Sequence, residues 1–155
     1  VVKMVKALLQ ISAARSTPGL VEVLLEALAS LLKAEKAIEL ALEAEIMPFI
    51  VYTLKRRKHT IPALKTLVSL CGLGQPNKDE NPEKPDGKRA AIDAGALSAI
   101  CGLLASENPV ERQLSARAVL LMCVDQEGKR RAAVVVPNLI MQLYETDHDM
   151  YMNAL

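Results

Sequence analysis

The chain has 155 residues, of which 51% are hydrophobic and 3% aromatic, with no tryptophan and a formal net charge of +1. This length suits one domain with a sizeable core, and the small net charge gives no global field of the kind that nucleic-acid or membrane-surface proteins use. No apolar run approaches the roughly 20 residues of a membrane-spanning helix, and no signal peptide is visible.

The chain opens on a predicted helix whose apolar residues recur at helical spacing: Val2, Val5, Leu8 and Leu9. Thr17 and Pro18 then form a helix-start signal. Thr is a favoured N-cap, and Pro fits the first helical position because its missing N–H costs nothing there. The next helix is therefore expected over 20–33.

Three more helices are predicted in the following stretch. The first is short and covers 36–44, and Glu45 stands at the corner after it. The second covers 46–54, and the third covers 61–73 with Thr60 as its candidate N-cap.

Residues 74–86 break this helical pattern. They read GQPNKDENPEKPD, with three prolines, two asparagines and no apolar anchor. Such a composition is typical of an exposed loop. We interpret it as an elaborated connection between helical units and place no domain boundary there.

A complete three-helix unit follows this loop. A short helix over 88–94 stops at Gly95, where a sharp reversal favours glycine. A second helix is expected over 96–104, and Asn108 and Pro109 start the third as N-cap and first helical residue. We expect the third helix to be covered on more than one face, because its apolar residues surround it: Val110, Leu114, Ala116, Val119, Met122 and Cys123.

The last unit starts with Gly128-Lys129-Arg130, which repeats Gly87-Lys88-Arg89. Three valines, 134–136, stand where the corner should be, and a second helix is expected from Pro137. Asp147 is a candidate cap for a third helix that the chain only begins.

The three-helix unit resembles an armadillo repeat. The resemblance rests on the DAGAL corner (93–97), the helix ending GLL (102–104) and the small-residue stretch SARAVLLMC (115–123). It implies an all-α, right-handed α-solenoid of armadillo/HEAT-like repeats, covering about 1–34, 35–73, 87–125 and an incomplete 128–155. Because a solenoid unit buries its apolar face only against neighbours, we also expect flanking repeats in a longer chain.

The resemblance implies a function as well. Third helices line the concave face of armadillo proteins, and the stretches 26–32, 65–71 and 117–123 can be overlaid as third helices. The expected partner-binding residues are Glu22, Glu26, Lys65, Ser69, Gln113 and Arg117. The Trp and Asn side chains with which the importin-α family holds basic peptides are absent from this surface, so that activity is not implied.

The function expected is that of a non-enzymatic protein–protein interaction scaffold in a larger assembly. The junction DQEGKRRAAVVVP (125–137) also resembles radial-spoke armadillo proteins of motile cilia. The alternative is a helical regulatory domain of a larger enzyme or exchange factor, which would have the same sequence features.

The cluster Lys55, Arg56, Arg57 and Lys58 allows two interpretations. It is either a basic patch for nucleic acid, an acidic partner or nuclear import, or a solvated turn between helices. No aromatic residue interleaves with the cluster to stack bases, which favours the solvated turn. We expect no nucleic-acid or membrane partner.

Enzyme chemistry is not predicted. The chain has no Gly-rich phosphate loop, no nucleophile elbow and no paired carboxylates within an apolar segment. Cys71, Cys101 and Cys123 lie at apolar helical positions, which favours free thiols in a reducing compartment and hence the cytoplasm. No metal site or cofactor is expected.

Overall fold

The computed structural model describes Ala7 and residues 18–72, 86–124 and 126–141. Within these ranges all regular structure is helical and no residue is in a strand, so the all-α prediction is confirmed for them. The helices are α1 (Pro18–Leu31), α2 (Glu35–Glu43), α3 (Met47–Lys55), α4 (Thr60–Gly72), α5 (Gly87–Asp93), α6 (Ala96–Cys101), α7 (Pro109–Met122) and α8 (Gln126–Arg131). A 3₁₀ turn, Ala132–Val134, and helical residues 136–141 follow.

Several predicted segments lie outside the described residues. They are the opening helix, the loop 74–86 up to residue 85, and the chain after residue 141. Asp86, which we had assigned to that loop, is instead the N-cap of α5: its Oδ1 accepts a hydrogen bond from Lys88 N at 2.9 Å. The connection therefore ends one residue earlier than predicted.

Helices three apart in the chain pack against one another. α4 lies between α1 and α7 and contacts both along their lengths. α5 contacts α2 on one side and α8 on the other, and α3 contacts α6. The end of α6 is held to the last described segment by Asn138, whose Nδ2 donates to the carbonyl oxygen of Cys101 at 2.7 Å.

The core is aliphatic. Its largest fully buried side chains are all leucine or isoleucine: Leu25, Leu28, Leu32, Ile46, Ile50, Leu54, Leu64, Leu67, Leu70, Ile92 and Ile100. Each such side chain contributes about 1.5–3 kcal/mol when it leaves water. These residues come from five of the helices and from the turns beside them, and they belong to one cluster, so these helices share a single core.

Two of the predicted N-caps, Asn108 and Thr60, lie within the described residues, whereas Thr17 and Asp147 do not. Asn108 is the N-cap of α7, and its Oδ1 accepts from Val110 N at 2.9 Å. The prediction for Thr60 is wrong, because Thr60 is the first residue of α4 and its hydroxyl hydrogen-bonds to Oε1 of Glu111 on α7. Thr60 therefore links two neighbouring helices.

Two helix spans differ from the prediction by more than one residue at an end. α1 begins two residues before the predicted start and ends at Leu31. α6 ends at Cys101, and residues 102–105 form turns where helix was expected.

α7 packs against α4, α5 and α6, so it is covered on more than one face. One side of α7 stays open to solvent, because Leu120 is 69% exposed.

The corners between first and second helices share one backbone conformation. Gly95 has a φ of 79°, as its position after α5 predicted. Glu45, at the same place after α2, has a φ of 51°. The corner without glycine is therefore built in the same left-handed way, at the steric cost that a β-carbon brings to this region.

Candidate functional site

An open groove of about 600 Å³ runs across α1, α4 and α7. Five of its lining residues are those that the overlay of the third helices had placed in equivalent rows: Glu26, Ser30, Lys65, Ser69 and Arg117. The groove exists because these three helices pack side by side with α4 in the centre. We call it the third-helix groove.

Helical spacing positions these side chains on one face of each helix. Ser30 follows Glu26 by four residues, and Ser69 follows Lys65 by four residues, so each pair lies one turn apart on the same side. The inward faces of the same helices carry the leucines of the core, such as Leu28 and Leu67. The polar side chains of each pair therefore lie on the groove side of their helix.

The third-helix groove has more cations than anions. Lys33, Lys65 and Arg117 line it together with Glu26, and all four side chains are exposed. None of the four has an ion-pair partner among the described residues. The described lining of the groove therefore carries three positive charges and one negative charge.

Two predicted partner-binding residues do not line this groove. Glu22 lies one turn before Glu26, and its Oε2 is 3.6 Å from Nδ1 of His59 in the turn before α4. Gln113 is exposed on α7, one turn before Arg117. The predicted partner-binding residues therefore extend beyond the groove toward the N-terminal ends of α1 and α7.

Sequence reasoning missed part of the lining. Lys33, Val68, Gly72 and Leu114 also border the groove. Lys33 lies in the turn after α1, but its position could have been found from spacing, because the predicted helix over 20–33 places it on the same face as Glu26. Nothing in the sequence marks Leu114 as a groove residue, because an apolar residue on a third helix is normally assigned to the hydrophobic core.

The basic cluster is divided by the structure. Lys55, Arg56, Arg57 and Lys58 are all exposed, at the end of α3 and in the turn that follows it. Arg57 also reaches the end of α6, where a β-carbon on Gly102 would lie 3.5 Å from its Cζ and closer still to Nη2. A cation at the C-terminal end of a helix is favourably placed against the helix dipole, which gives Arg57 a structural role.

The structure also adds an aromatic residue to this cluster. The guanidinium carbon of Arg56 lies 5.2 Å from the centre of the Tyr52 ring, within cation–π distance. Tyr52 is four residues earlier on α3, so it did not appear within the basic run itself. One ring does not form the row of stacking surfaces that single-stranded nucleic acid uses.

Two of the three cysteines have thiols whose pKa is raised. Cys71 is buried at the end of α4, and burial raises the pKa of its thiol to about 12. Burial likewise raises the pKa of Cys123. A raised pKa keeps a thiol protonated and unreactive at neutral pH. Among the described residues no group of three or more His, Cys, Asp or Glu could hold a metal ion.

No family model matches this chain. No curated protein and no solved structure matches it either. Of the helices within the described ranges, none combines the length and the apolar character needed to cross a membrane. The case for a function therefore rests on the third-helix groove and on the residues that line it.

Proposed function

We propose that this chain is a protein–protein interaction scaffold that binds a segment of a partner along the third-helix groove. In this proposal the repeated helices form a right-handed α-solenoid of the armadillo type, and the groove is its concave surface. The observation that carries the proposal is the convergence of Glu26, Ser30, Lys65, Ser69 and Arg117 on one open groove. These residues come from three helices that are far apart in sequence.

The packing order of the helices supports the architecture. α1, α4 and α7 are neighbours in that order, as successive third helices of a solenoid must be. The composition of the groove supports a binding role, because exposed charged residues without partners contribute little to folding. The radial-spoke resemblance of residues 125–137 stays a prediction from sequence.

The test is to fill the groove without changing its charge. We expect Ser30→Trp and Ser69→Trp to release the partners that the wild-type chain retains from its native extract, measured by quantitative mass spectrometry after affinity capture. Ser98→Trp is the matched control, because Ser98 is exposed on α6, away from the groove.

Melting temperatures of the three variants separate a blocked groove from a misfolded chain. If the two groove variants melt like Ser98→Trp and retain every partner, the binding surface is not the third-helix groove. The turn that carries Lys55, Arg56 and Lys58 would then be the next surface to test.

A further inference from the structure

The cations that line the third-helix groove lack the ion pairs that some other charged residues of the chain form. Arg131 pairs with Glu127 at 2.6 Å and lies 3.8 Å from Asp93, and Arg89 pairs with the same Asp93 at 3.3 Å. The groove cations Lys33, Lys65 and Arg117 have no such partner among the described residues, although they share one concave surface. Their mutual repulsion is reduced when an anionic ligand binds.

The charges are also ordered across the groove. The single carboxylate, Glu26, lies on α1, whereas Lys65 lies on the central helix α4 and Arg117 on α7. Lys33 lies in the turn just after α1, seven residues beyond Glu26. Among the described lining residues, those on α4 and α7 therefore include cations but no carboxylate, and Glu26 on α1 repels acidic groups at one edge of the groove.

The uncharged part of the lining favours an extended chain over a helix. Four lining residues are small: Ala29, Ser30, Ser69 and Gly72. Small side chains let a ligand backbone approach, and serine hydroxyls both donate and accept hydrogen bonds. An extended segment has free N–H and C=O groups that require such partners, whereas a helix satisfies its own.

We infer that the third-helix groove takes an extended segment of another protein that is rich in Asp and Glu. This inference rests on the groove-binding function proposed above and adds the chemical class of the partner. Acidic side chains pair with Lys33, Lys65 and Arg117, and the backbone between them lies over Ser30 and Ser69. Because the lining charges are exposed, the binding weakens as salt rises.

The probe is a fluorescein-labelled peptide of alternating Glu and Ser, about ten residues long and so roughly 33 Å when extended. Matched Gln–Ser and Lys–Ser peptides have the same length and spacing. We expect fluorescence anisotropy at low ionic strength to show binding of the Glu–Ser peptide and none of the other two. The Lys65→Glu/Arg117→Glu chain should bind it at least about tenfold more weakly, ~1.4 kcal/mol.

Two further variants sharpen this test. Glu26→Gln removes the one carboxylate of the groove and should strengthen binding of the acidic peptide. Lys55→Glu/Lys58→Glu makes the same change in net charge outside the groove and should alter affinity by less than about twofold, because screened charges at a distance contribute little.

The inference is overturned if the Gln–Ser or Lys–Ser peptide binds as well as the acidic one, or if both double reversals weaken binding equally. Ser69→Trp separates this failure from failure of the proposed function. Partners that Ser69→Trp releases but the Lys65→Glu/Arg117→Glu chain retains would show a groove that binds without acidic selectivity. Partners that both variants retain would remove the groove as a binding surface altogether.

Discussion

Gly87 packs directly against the carbonyl group of Leu70. A β-carbon on residue 87 would lie 2.8 Å from the carbonyl carbon of Leu70 and closer still to its oxygen. The same contact recurs one unit later, where a β-carbon on residue 128 would lie 2.8 Å from the carbonyl carbon of Met122. Leu70 and Met122 are equivalent in the overlay of the third helices, so the repeated Gly-Lys-Arg sequence marks a repeated close contact between a first helix and the third helix before it.

The first prediction follows from this contact. Gly87→Ala should destabilise the chain by about 1–3 kcal/mol, since the added methyl group must displace backbone. Gly19→Ala is the matched control: Gly19 lies in α1 with nothing within 4 Å of its would-be β-carbon. Alanine there should be neutral or stabilising by up to about 1 kcal/mol. Urea unfolding of both variants measures the difference, and equal effects would contradict the close contact.

The second prediction concerns the left-handed corners. Glu45→Gly should stabilise the chain by about 0.5–1 kcal/mol, because glycine has no β-carbon to oppose a φ of 51°. Gly95→Ala should destabilise it by about 1 kcal/mol, although a β-carbon there meets nothing within 4 Å. Glu45→Ala is the control and should change little. A loss of stability in Glu45→Gly would show that the Glu45 side chain itself holds the corner.

The third prediction compares two buried hydroxyl groups. Ser115 on α7 is fully buried, and its Oγ has no hydrogen-bond partner in the part of the chain that the structure describes. Ser115→Ala should therefore be neutral or stabilising by about 1 kcal/mol. Thr66 is also fully buried, but its Oγ1 donates to the carbonyl of Pro62 at 2.8 Å. Thr66→Val should cost about 1 kcal/mol. Urea unfolding should give a free energy of unfolding that is unchanged or higher for Ser115→Ala and lower for Thr66→Val. A loss of stability in Ser115→Ala would show that the Ser115 hydroxyl does have a hydrogen-bond partner.

The fourth prediction is a pH dependence. The pKa of Cys71 is raised from 9.0 to about 12 by burial, followed by the negative charge of Asp86. Between these values the folded chain keeps a proton that the unfolded chain has lost, so stability falls as the pH rises through this interval. Below pH 9 this contribution is fully present.

Thermal unfolding between pH 8 and 11 checks this prediction, with Cys71→Ala for comparison. The variant should lose less stability than the wild type as the pH rises. Identical slopes for the two chains would show that Cys71 titrates normally in the folded state. Buffers and protein concentration are held constant, because the two chains then differ only in this thiol.

Local sequence signals predicted the helices well. The Asn108 cap, the proline after it and the left-handed Gly95 are each explained by atoms within a few residues, so the sequence alone carries the information. The same reasoning failed at Thr60, because its hydroxyl bonds to Glu111, which is 51 residues away in sequence. It also missed the reason for Gly87 and Gly128, whose neighbours lie on another helix.

By itself the sequence determined the all-α class, the order of the helices and the residue types on the third helices, since periodicity, capping and turn chemistry act over one or two turns. Only the tertiary structure decided which of those residues share a groove. Helix packing brought Lys33, Lys65 and Arg117 into the lining of one groove, left Gln113 and Glu22 outside it, and turned Arg57 toward Gly102. Side-chain volumes at contacts between distant helices set these positions, and no local pattern records them.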